Sequence, residues 1–83
     1  MSRANIPDRR VNMFHVGQVW ETNKGGLWRV VAIENGQAKL RQGAEGSRGR
    51  IKRKSWDGVL GMILYYDPEW DEIKPWVSEE GGA

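Results

Sequence analysis

Lys39, Arg41, Arg48, Arg50, Lys52 and Lys54 are the residues whose type and spacing most clearly suggest chemistry in this chain. Alternate residues of a strand point to one face, so Lys39 and Arg41 share a side, as do Arg50, Lys52 and Lys54. If the two segments pair antiparallel, their outward positions lie side by side, and Arg48 extends the strip into the loop between them. Like charges facing each other across a ladder repel. Neutralising a phosphate backbone offsets that repulsion, because each contact releases condensed counterions. These six cations are therefore the candidate nucleic-acid-binding residues, with DNA or RNA as the partner. The competing reading is a solvated edge, where Lys-rich strands discourage aggregation.

The remaining inventory argues against catalysis. His15 is the single histidine and there are no cysteines, which excludes a paired-His metal site and a Cys–His nucleophile. Asp67 with Glu69, and Asp71 with Glu72, fall in an acidic tail and read as solubilising charge. Gly25-Gly26 and Gly43-Ala44-Glu45-Gly46 lack both the spacing and the Lys-Ser/Thr of a phosphate loop. No catalytic residue, metal ligand or cofactor is assigned, and the chain reads as a binding protein.

The elements that must position the cations are short strands. Leu27 to Glu34 is rich in β-branched and aromatic residues and leads into Asn35-Gly36, the dipeptide best suited to a type I′ turn. Gln37 to Arg41 returns, with Ala38 and Leu40 inward. Met13 to Thr22 precedes this hairpin as a first strand. After a Gly-rich loop from Gln42 to Gly49, Arg50 to Lys54 forms the fourth, with Ile51 inward and Arg50, Lys52 and Lys54 outward. Ser55-Trp56-Asp57-Gly58 reads as a tight or single 3₁₀ turn. Gly61 to Tyr66 is the fifth strand, stopped by Asp67-Pro68. Trp20, Trp28 and Trp56 are expected to fill the core, with Trp28 buried. Tyr65 and Trp70 have core or anchoring roles, or stack on unpaired bases.

Val16-Gly17-Gln18-Val19-Trp20, the turn Gly25-Gly26, and Leu27-Trp28-Arg29-Val30-Val31 resemble the opening of KOW- and Tudor-type SH3-like barrels, especially the small barrels encoded by phages and prophages. The similarity covers roughly residues 16 to 66. It does not extend to signalling SH3 domains, because no Ala-Leu-Tyr-Asp-Tyr stretch or Trp-Trp pair is present. The resemblance implies binding, often of nucleic acid or ribonucleoprotein, and carries no catalytic residue.

The expected fold is all-β: a five-stranded antiparallel SH3-like barrel with a short 3₁₀ turn before the last strand and flexible termini. Residues 1–12 form a basic arm, 13–67 the barrel and 68–83 the acidic tail. In 83 residues a single domain is expected. Residues 1–54 carry 12 Lys and Arg against 4 Asp and Glu, and residues 55–83 carry 1 against 7, which leaves the net charge of +2. That asymmetry suggests the tail folds back over the basic strip. No apolar run approaches the roughly 20 residues that span a membrane, and no signal-peptide core follows Met1, so a cytoplasmic protein without a membrane partner is expected. A protein-binding adaptor or inhibitor, docking its basic strip on an acidic partner surface, is the alternative function.

Overall fold

The computed structural model describes residues 11–46, 49–71 and 74–76. Five strands follow one another as β1 (Val19–Thr22), β2 (Leu27–Glu34), β3 (Gln37–Gln42), β4 (Ile51–Ser55) and β5 (Met62–Tyr66). The β2–β3 hairpin forms for the reason its sequence suggests. Asn35 and Gly36 both take positive φ, 53° and 77°, the two left-handed positions of a type I′ turn. That turn sets Glu34 opposite Gln37 and Ile33 opposite Ala38.

All neighbours pair antiparallel, in the order β4-β3-β2-β1-β5. This is the meander of an SH3-like arrangement, except that the sheet stays open between β4 and β5. A bulge in β2 between Val30 and Ala32 lets Val30 and Ile33 both face the Leu40–Ala38 side. It explains why apolar residues occur on both alternations of that strand. A second irregularity, between Val19 and Trp20, bends β1 against β5. Backbone bonds from Val30 N to the Gln18 carbonyl and from Gly17 N to the Val30 carbonyl, 2.8 and 2.9 Å, carry the β1–β2 pairing back to Gly17.

The inner face gathers Phe14, Trp20, Val30, Ala38, Leu40 and Leu64 into the core, with Trp28, Val59 and Met62 packed at its margin. Trp20 is its largest buried side chain, held edge-on to Phe14 at 5.3 Å. The expected tryptophan core is thus corrected: Trp28 is only partly buried, and Trp56 is 41% exposed. Gln18, at the mouth of β1, is also sealed. Its side-chain carbonyl accepts from the Trp20 indole N–H at 2.9 Å, and its amide donates to the buried Asp67 carboxylate at 2.9 Å. Gly17 makes room for the same junction. At φ 96° it lets the Pro68 ring close in, where a β-carbon would stand 2.9 Å from Pro68 Cγ.

Before β5, Ser55–Gly58 closes as a tight turn, with Gly58 N donating to the Ser55 carbonyl, and a second turn follows with Met62 N donating to the Val59 carbonyl. One segment departs from expectation. In β4 the faces are reversed. Leu40 pairs with Lys52 and Ala38 with Lys54, while Arg41 pairs with Ile51 and Lys39 with Arg53. Directly opposed residues share a face, so Lys52 and Lys54 lie on the core side. Ile51 lies on the outer side, 46% exposed. The physical reason is position: β4 is an edge strand beside an opening, so its inward side chains still reach water and need not be apolar.

Residues 1–10 of the arm and residues 72, 73 and 77–83 of the tail lie outside the described residues. No helix among the described residues is long and apolar enough to cross a membrane.

Candidate nucleic-acid interface

The opening between β4 and β5 is a groove of about 600 Å³. Arg50, Lys52 and Lys54 from β4 and its approach form one wall. The β1–β2 turn supplies Lys24, beside Thr22 and Asn23, on the other. Trp28 and Met62 contribute apolar surface, and Leu60 stands at the rim, 94% exposed. Among the described residues that line the groove there is no carboxylate. Four cations therefore share a concave space whose low-dielectric walls focus a positive field.

The sequence order explains this placement. Trp20 and Trp28 pair in register across β1 and β2, so both indoles face inward, and Thr22 pairs with Met62 at the far end of the same face. The sheet then curls until β4 faces the start of β5. The Lys52 ammonium extends over β3 on the inner face to lie 4.3 Å from the centre of the Trp28 ring on β2, a cation–π contact. Lys52 thus covers an indole that the core leaves partly open. Lys54 runs its stem past the β4–β5 connection, with its Cε close to Gly58.

The six cations singled out by the sequence do not form one strip. Arg50, Lys52 and Lys54 meet in the groove. Lys39 and Arg41 lie on the opposite, outer face, where Lys39 and Arg53 share a small hollow of about 220 Å³ with the Glu34 carboxylate. Arg48 lies outside the described residues. Arg41 sits opposite Arg29, and its Nε is buried without a hydrogen-bond partner among the described residues. Arg29 is itself engaged: its guanidinium donates to the Ala44 carbonyl at 2.8 Å and lies 5.9 Å from the Trp76 ring centre.

That outer face is where the C-terminal segment docks. Trp76 packs edge-on against Tyr66 at 4.9 Å and donates its indole N–H to Glu45 at 2.7 Å. Trp76 is therefore an anchor, on the side of the sheet away from the groove. Of the tail acids expected to fold over the basic residues, Glu72, Glu79 and Glu80 lie outside the described residues, while Asp71 accepts from the Asp67 backbone N–H at 2.8 Å.

Sequence reading missed Lys24 and the role of Trp28 in this site. Lys24 sits in an Asn-Lys-Gly-Gly turn that looks like connection alone, and only the curl of the sheet brings it opposite β4. Comparison with family models, with curated proteins and with solved structures finds no match for the chain.

Proposed function

We propose that this protein is a small nucleic-acid-binding module that grips the phosphate backbone in the groove between β4 and β5. The observation that carries the reading is the set of Lys24, Arg50, Lys52 and Lys54 around the Trp28 indole, with no carboxylate among the described lining residues. Charge of one sign concentrated in a concave site attracts a polyanion and releases counterions when phosphates replace them. The likeness to small KOW- and Tudor-type barrels of phage and prophage origin supports the same class of partner. The inventory offers binding groups only, and the reading involves no reaction.

A salt titration tests it. Binding of generic DNA or RNA is expected at low salt, with log K falling against log salt at a slope near −3 if about three or four phosphates are engaged. Replacing Arg50 and Lys52 by Gln should reduce that slope by roughly one to two units, similarly for all sequences, with folding intact. Absence of any interaction at low salt would move the weight to a protein-binding adaptor that takes an acidic partner surface. Ile63 and Trp70, both exposed and outside the groove lining, favour that second reading, because apolar and aromatic side chains are what protein interfaces bury.

A further inference from the structure

We infer that the groove takes a single strand, DNA or RNA, in preference to a duplex, with an unpaired base received at the Trp28 indole. The inference rests on the nucleic-acid reading and names its substrate class. The first support is the number of charged rows. Arg50, Lys52 and Lys54 are alternate residues along one edge of the sheet, so they form one row with steps of about 6.6 Å. Among the described residues the facing wall adds only Lys24. One row serves one backbone. A duplex presents two, flanking a major groove about 12 Å wide, and the concave seam offers no projecting helix or ribbon to enter it.

The second support is the floor of the groove. Trp28 belongs to the margin of the core, and the Lys52 ammonium sits 4.3 Å from the ring centre. A phosphate is a stronger partner for that ammonium than an indole face. When Lys52 turns toward the backbone, the ring it covered is left open beside Met62. An apolar, flat surface next to a row of cations is the arrangement that stacks an exposed base while tracking its backbone. Bases inside a duplex have both faces occupied and cannot use it. Leu60 extends the apolar surface at the rim, where a phosphate would gain nothing and a base would.

The full chain is titrated, at one fixed low salt concentration, with fluorescent oligo(dT) and oligo(rU) of about twelve nucleotides. A hairpin duplex of equal charge and an abasic strand of equal length complete the set. At least one of the two single strands should bind about ten-fold tighter than the duplex, and the abasic strand should lose about ten-fold against the tighter of the two. The comparison of oligo(dT) with oligo(rU) tells the two sources of single strand apart. The Trp28 indole N–H signal, assigned by its loss in the conservative Trp28→Phe variant, should shift with oligo(dT) and stay in place with the abasic strand. Equal affinity for the duplex and the tighter of the two single strands, or for that strand and the abasic strand, overturns the inference while leaving phosphate binding standing. Failure of all four probes to bind removes the nucleic-acid reading, and this inference with it.

Discussion

Trp20 and Trp28 stand opposite each other in the β1–β2 register, on the same face of the same sheet, yet they live in different surroundings. Trp20 is 1% exposed, edge-on to Phe14, with its indole N–H accepted by Gln18. Trp28 lies on β2, the middle strand, and a lysine covers it. The difference comes from what closes over each ring. Phe14 and Gln18 seal Trp20, whereas Trp28 shares the groove lining with Lys24, Lys52 and Met62. A residue type suited to a small core thus becomes, one strand over, the floor of a groove.

The largest effect should come from Trp20. Trp20→Ala removes the largest buried side chain and should destabilise by about 3–5 kcal/mol. For a domain this small that approaches the whole stability. Thermal or urea denaturation reads it, and a variant that melts like the parent would break the assignment of Trp20 to the core. Next comes Gln18→Leu, which takes an acceptor from the Trp20 indole and a donor from Asp67. Leaving a buried polar group poorly satisfied costs about 1–3 kcal/mol. Retention of full stability would show that the buried junction adapts without Gln18.

How much of this was legible depends on how local the cause is. Asn35-Gly36 fixed its hairpin because the turn chemistry lies in two adjacent residues, and Ala38 and Leu40 were readable as inward because β3 is covered on that face. The strand count and order followed from the same short-range signals. Gln18 and Asp67 were not legible as partners, being 49 residues apart and individually unremarkable as polar side chains. β4 was read with its faces reversed, because alternation informs only where one face is dry. There Ile51 points outward and Lys52 inward, an arrangement that register with β3 decides. The candidate site shared that fate: three of its cations were visible as a group, but Lys24 and the indole beneath Lys52 needed the curl of the sheet.

Trp28→Ala sharpens the comparison from the other side. The indole is partly buried and packs on the core margin, so its loss should cost about 1.5–3 kcal/mol, less than Trp20→Ala. Denaturation of the two variants side by side reads the difference. If Trp28→Ala proves the more damaging, Trp28 is the true core residue and the groove floor is closed.

The smallest effects on stability, and the most informative on function, should come from exchanging charges on the two faces of the β3–β4 pair. Lys52 and Lys54 share the inner face with Leu40 and Ala38, while Lys39 and Arg53 face each other on the outer one. Lys52→Gln with Lys54→Gln keeps part of each stem and removes one cation–π contact, a loss of about 0.5–1 kcal/mol. Lys39→Gln with Arg53→Gln relieves a like-charge pair near Glu34 and should change stability by no more than about 0.5 kcal/mol. Polyanion binding should separate the two pairs far more clearly. Long-range attraction is nearly the same for both, because each variant loses two positive charges. Only charges that touch phosphates change the number of counterions released. The inner pair should therefore lower the salt slope by about one to two units, and the outer pair should leave it close to the parent value. Equal slopes for the two variants would mean that net charge, and not the groove, governs binding. A larger loss from the outer pair would move the interface to the face that carries Lys39, Arg41 and Arg53.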